Sequence, residues 1–179
     1  MAVSQFNLAQ YQRAERKLLM TVAEWTEGTT TERELLGRRT EDSSVEYNAD
    51  QSTTTDILGI NYTDVNKTQP QQDFDPYLIL GGSKLGAKLD DIRRRNALSE
   101  LSQFTLYLIT AYVGNDSDGY RAEKHVNCTI QYNSLGGDAN VNMPISVFFS
   151  NDITNGTVKK AQGHEKLDED FTFTPDVTI

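Results

Sequence analysis

The sequence predicts a mainly β protein: an antiparallel β-sandwich or barrel of about seven strands, with one α-helix and one long protruding hairpin. Three observations carry this. Large apolar residues alternate in SQFTLYLITAYV, HVNCTIQYN and VNMPISVFF, the period of two that separates a strand's faces. One segment, opening at Ser83, repeats its apolar residues with a helical period. Clusters rich in Gly, Asn, Asp and Ser punctuate the chain between these runs.

Taken in order, residues 1–16 and 161–179 carry few large apolar residues in any regular rhythm and read as arms flanking one domain over 17–160. KLLMTVAEWT is short, apolar and bounded by a Glu-Gly-Thr cluster, which predicts a first strand, with TEGTTTERE as a loop after it. ELLGRRTEDSSVEYN and STTTDILGINYTDVN are rich in Thr, Val, Ile and Tyr and flank Ala49, Asp50 and Gln51, so they read as one long hairpin from about Leu35 to Val65. Ser44, Glu46, Thr53, Thr54, Thr55, Asp56, Asn61 and Asp64 leave neither face of it continuously apolar. Such a ribbon buries little by itself, and its unpaired edges are templates for strand addition.

TQPQQDFDP, with two prolines and no periodicity, reads as a connection. In the helix, Ser83 serves as N-cap, Leu85, Leu89 and Ile92 form one stripe, and Asn96 is the stop. SQFTLYLITAYV sets Phe104, Leu106, Leu108 and Tyr112 against Tyr107, Ile109 and Val113, the pattern of a central strand covered on both sides. After the turn GNDSDG, the face bearing Val126, Cys128, Ile130 and Tyr132 is expected in the core, opposite His125, Asn127, Thr129 and Gln131. Val141, Met143, Ile145, Val147 and Phe149 follow the same code, and Pro144 suggests an edge or a bulge. FTFTP closes the chain as a short strand.

A length of 179 residues with 37% hydrophobic and 24% charged residues suits one globular domain. The formal net charge of -9 argues against tight binding to phosphate backbones or anionic lipid. Arg93, Arg94 and Arg95, the densest basic run, sit beside Asp90 and Asp91. The lone Cys128 cannot form an intrachain disulfide, and no apolar stretch reaches the length of a signal core or membrane span, so synthesis in a reducing cytosol is expected. The N-x-S/T matches at Asn61, Asn66, Asn115, Asn127 and Asn155 then read as strand and turn composition.

No catalytic, cofactor-binding or metal site emerges. His125 and Cys128, three apart on a strand, are expected on opposite faces, and His164 stands in a polar loop. Asp73 and Asp75 flank Phe74 and suit turn capping better than acid–base work. GGSKLG matches neither the dinucleotide nor the Walker pattern and reads as a helix entry. A ligand-binding sandwich would need a concave aromatic cluster, whereas Trp25 is the only Trp and the eight Tyr are scattered.

The run TEDSSVEYNADQSTTTDILGINYTDVNKTQPQQDFDPY followed by GSKLGAKL resembles the tail tube proteins of phages and prophages of Gram-positive bacteria, of the siphovirus type. RRNALSELSQFTLYLITAYVG, EKHVNCTIQYNSLGGDANVNMPISVFFSND and NGTVKK extend the resemblance over residues 17–160. The resemblance implies a structural virion protein, not an enzyme. Its long hairpins join those of neighbours, hexameric rings stack into the tail tube, and the genome leaves through the lumen without specific DNA binding. It implies partners in further copies of the chain and in tape-measure, tail-tip and terminator proteins, no cofactor, and a place in the virion tail. On that view Val45, Tyr47, Ile57, Leu58, Ile60 and Tyr62 are candidates for inter-subunit pairing, and Glu41, Asp42, Glu46, Asp56 and Asp64 for the lumen wall. An acidic lumen repels phosphate and keeps passage free. The alternatives are a tube or ring subunit of a contractile particle or secretion-type injection system, a ligand-binding β-sandwich, or a hydrolase using Asp73 or Asp75.

Overall fold

The computed structural model describes residues 6–176. Its strands are β1 (Leu19–Glu27), β2 (Thr30–Leu35), β3 (Val45–Glu46), β4 (Asp50–Thr55), β5 (Asn61–Lys67), β6 (Gln71–Phe74), β7 (Phe104–Asn115), β8 (Gly119–Tyr132), β9 (Ile145–Phe148), β10 (Ile153–Lys160) and β11 (Phe171–Pro175), with helix α1 (Lys84–Arg95) before β7. All strand pairs are antiparallel. The large sheet runs β2-β1-β7-β8-β9-β6-β3, with β10 and β11 branching from β8, while β4 and β5 form a sheet of two. The mainly β class, the single α-helix among the described residues and the protruding hairpin are as the sequence predicts.

The long strand β8 organises the body because it belongs to two layers. Its first half pairs with β10, Tyr120 opposite Val158 through His125 opposite Ile153. Its second half pairs with β9, Thr129 opposite Phe148 through Tyr132 opposite Ile145. Between the halves, Phe104 pairs with Cys128 and Leu106 with His125, so β8 spends one residue more than β7. This is a β-bulge, and Asn127 takes its left-handed position at φ 57°. The bulge overturns the expected alternation: His125 and Cys128 are both buried, at 2% and 1% exposure. The Cys128 thiol approaches the His125 backbone carbonyl (3.5 Å).

Two apolar clusters fill the two sides. The larger gathers Trp25, Phe74, Tyr77, Phe104, Leu106, Cys128, Ile130, Met143, Ile145 and Val147 with the helix stripe Leu85, Leu89 and Ile92. The smaller holds Val22, Tyr107, Ile109, Ala122, Val158 and Phe171. Strand β7 supplies both, Leu106 and Leu108 to one and Tyr107 and Ile109 to the other, which is the doubly covered central strand that its continuous apolar pattern predicts. Helix α1 is capped as expected. The Ser83 hydroxyl accepts from the Gly86 N–H, and Asn96 ends the helix in the left-handed conformation.

Five expectations need correction. TEGTTTERE is not a loop, because Glu27 pairs with Thr30 and β2 runs back along β1. TQPQQDFDP contains β6, an interior strand between β9 and β3. Its polarity is reconciled with burial at Gln72, 1% exposed, whose amide accepts from the Thr21 hydroxyl (2.7 Å) and donates to Ser43 Oγ (3.0 Å). Val141 is exposed, since β9 begins only at Ile145. Pro144 marks the entry to β9, which lies inside the sheet and not at its edge. The hairpin turn falls at residues 56–60, not at Ala49, Asp50 and Gln51.

Candidate functional site

Val45 pairs with Gln72, Glu46 with Gln71, and Asp50 with Lys67. These three pairs keep one register, so β3–β6 and β4–β5 are two stretches of a single antiparallel ribbon. The ribbon is interrupted around Tyr47 and Asn48 and slips by one residue after Asp50. Its root is held in the body by β6 against β9. Its distal part pairs with no other strand among the described residues. At about 3.3 Å per residue, the six residues of β4 extend roughly 20 Å.

The distal ribbon is braced by side-chain hydrogen bonds and has no core of its own. Thr53 meets Thr63 hydroxyl to hydroxyl (3.1 Å), and the Thr55 hydroxyl donates to Asn61 Oδ1 (2.7 Å). Asp56 sets the turn: its Oδ1 accepts the N–H groups of Leu58 (2.8 Å) and Ile60 (2.9 Å), and Oδ2 accepts the Tyr62 hydroxyl (3.2 Å). The backbone donors, Ile60 first, hold its carboxyl below the usual range. Gly59 supplies the positive φ (78°) that closes the turn.

This framework presents apolar side chains to solvent. Ile57 is 102% and Leu58 78% exposed, and Ile60, Tyr62 and Val65 are exposed beside them. Val65 belongs to this group but escaped the sequence reading. Its signal was its place across from Gln51 on a strand with no apolar face to bury it. Val45, by contrast, packs partly against the larger core cluster at the ribbon's root. Tyr47 sits at the interruption, where its carbonyl accepts the Gln69 N–H (3.2 Å). Partial burial, then the nearby Glu123 and Tyr112, raise its pKa.

Of the five candidate acids, Asp56 and Asp64 lie on the distal ribbon, Asp64 across from Ser52. Glu46 lies at the root, and Glu41 and Asp42 lie in the connection after β2. All except Asp56 are exposed.

No catalytic arrangement forms around the residues considered for chemistry. Asp73 is exposed on β6, and Asp75 accepts from the Asn142 amide (3.2 Å). The His125 Nδ1 lies 2.9 Å from the Ser150 carbonyl. Among the described residues its Nε2 has no hydrogen-bond partner, and it is 3.6 Å from Glu123, whose carboxyl the imidazole holds below the usual range.

A groove of about 960 Å³ runs between β2 and β11 and includes Tyr77, Tyr107 and Phe171. Several of its polar groups are paired with one another. Arg33 pairs with Glu24 (2.6 Å), donates to the Phe171 carbonyl (2.7 Å) and lies over the Phe171 ring. Glu34 accepts from the Tyr77 hydroxyl, the Ser83 hydroxyl and the Leu85 N–H, each at 2.9 Å. Burial, then Glu24, pushes the Tyr107 hydroxyl up to about 12.

No family model matches the sequence, and no curated protein matches it. Several solved chains are similar in shape, among them the following two. One comes from the cryo-EM structure of the anti-feeding prophage cap, the tube-terminating cap of that particle; it is 13% identical, with a TM-score of 0.49 over 88% of this chain and 99% of that one. The other, from the six-fold symmetrised baseplate of the same kind of particle, is 10% identical, with a TM-score of 0.42 over 83% of this chain and 97% of that one. Similarity at this level assigns no function to the chain.

Proposed function

We propose that this chain is a structural subunit that assembles with copies of itself into a ring or tube of a phage-tail-like particle, and that it is not an enzyme. The observation that carries the reading is the protruding ribbon: two strand edges that pair with no other strand among the described residues, a threonine-rich shaft and an apolar tip at Ile57 and Leu58. Unpaired edges of this kind are satisfied by strand addition from another chain. The resemblance of residues 17–160 to tail tube proteins supports the same reading.

The proposal covers both a non-contractile tail tube and a component of a contractile injection-type particle. The ribbon serves either, and the second class is the one from which the two similar chains come. Hexameric rings, stacking, genome passage and contacts with other tail proteins belong to the proposal. So does an acidic lumen, for which Glu41, Asp42, Glu46 and Asp64 offer exposed carboxylates while Asp56 is engaged in its turn.

Hydrogen–deuterium exchange tests the ribbon's role. In a dilute monomer the outward amides of β4 and β5 exchange fast, and at concentrations where particles form they become protected. Equal exchange in dilute and assembled protein would reject strand addition at the ribbon.

A further inference from the structure

The segment between β10 and β11 gathers one imidazole and two carboxylates whose ligand-capable atoms, from His164, Asp168 and Asp170, all lie within 4.8 Å of one another. We propose that these three residues form a binding site for one divalent transition-metal ion of the zinc type.

The backbone brings the ligands together. The Ala161 N–H donates to the Asp170 carbonyl (3.0 Å), closing the neck of the loop where β10 and β11 separate, and the His164 N–H donates to the Ala161 carbonyl (3.1 Å), turning the imidazole back toward that neck. Asp168 Oδ1 accepts the Asp170 N–H (2.9 Å), leaving Oδ2 facing His164 Nδ1 at 2.8 Å. The ligands thus sit on a loop whose two ends are fixed in a sheet, so ordering them for a metal costs little extra chain entropy.

The charge balance is the second observation. Glu169, between the two aspartates, turns away to pair with Arg38 (2.7 Å). Among the described residues no lysine or arginine makes an ion pair with Asp168 or Asp170, and the partner of the Asp168 carboxylate is the His164 ring. A metal ion bound here takes one nitrogen and two carboxylate oxygens, with water completing the shell.

One imidazole with two carboxylates is a donor set for zinc or its first-row neighbours, whereas calcium takes six to eight oxygens and magnesium keeps most of its water. The ligand atoms, all within 4.8 Å of one another, must adopt the separations set by bonds of about 2.0–2.2 Å. That is a side-chain adjustment on an exposed loop, since His164 and Asp168 each have side chains 36% exposed.

Isothermal titration of the full-length protein with zinc chloride at pH 7, below the concentration at which it assembles, tests the site. The expected result is one equivalent bound with a dissociation constant of about 10 µM or tighter, proton release on binding, and affinity weakened at least about tenfold in both His164→Ala and Asp168→Asn. Calcium should bind at least about a hundredfold more weakly than zinc. Both substitutions are at the surface, and metal-free circular dichroism and melting verify that they fold. No saturable binding up to about 1 mM zinc, or unchanged affinity in either variant, would overturn the proposal. Assembly does not enter this readout, so its outcome is independent of the ring or tube reading.

Discussion

Replacing Ile57 and Leu58 together by glutamate separates the ribbon's two possible roles, because the structure gives opposite expectations for monomer and assembly. At 102% and 78% exposure the two side chains contribute almost nothing to the folded monomer. The Asp56 and Gly59 turn that carries them is left intact. Monomer stability should therefore change by no more than about 0.5 kcal/mol in urea denaturation. If each side chain is buried against a neighbouring copy, its loss removes about 1.5–3 kcal/mol, so the pair removes roughly 3–6 kcal/mol per contact. That weakens association by about two to four orders of magnitude. Light scattering across a concentration series reads this as a shift in the onset of assembly. Onset at the wild-type concentration would refute the reasoning, because the tip would then be a solvent-facing turn. A monomer destabilised by several kcal/mol would refute it too, by showing that the tip packs within its own chain.

Other positions test the frame behind the ribbon. Glu34→Ala removes the acceptor shared by Tyr77, Ser83 and the Leu85 amide and should cost about 2–4 kcal/mol in chemical denaturation, since part-buried donors lose a charged partner. At the β8 bulge, Asn127→Gly should be neutral to within about 0.5 kcal/mol, whereas Asn127→Val should cost roughly 1–2 kcal/mol, because a β-branched residue resists positive φ. Glu100 is held down to about 2 by its Arg95 hydrogen bonds and then by Lys88. Its folded pKa lies below the unfolded 4.5, so its stabilisation is present above 4.5 and is lost as pH falls toward 2. NMR titration of the Glu100 carboxyl should show that low midpoint, and Glu100→Gln should flatten the fall in stability over this window; a midpoint near 4.5 would contradict the ion-pair geometry.

What was legible in the sequence follows from where local chemistry and tertiary packing agree. Helix α1 announced itself because Ser83, the Leu85–Leu89–Ile92 stripe and Asn96 each act through neighbours in sequence. Strand β7 was legible because burial on both sides leaves no polar face to confuse the pattern. Strand β6 was hidden because Gln72 is buried only through Thr21 and Ser43, partners 51 and 29 residues away. The pairing of His125 with Cys128 on one face was hidden for a similar reason. A bulge is forced by how β8 bends between two layers, and HVNCTI carries no glycine to flag it.

The hairpin turn was misplaced by choosing Ala49-Asp50-Gln51 over Asp56-Ile57-Leu58-Gly59, although the latter has the better turn chemistry. An aspartate able to accept its own downstream N–H groups stands three residues before a glycine. Apolar Ile57 and Leu58 disguised that turn as strand. Their exposure is the feature that gives the ribbon its proposed role, so the residues hardest to place locally were the informative ones.

The central claim, that the chain assembles with itself through the ribbon, is tested most directly by negative-stain microscopy of the purified protein across a concentration series, with light scattering on the same samples. The account predicts discrete rings or hollow tubes that grow with concentration. A particle that stays monomeric at every concentration, with and without added tail-tip partners, would contradict it.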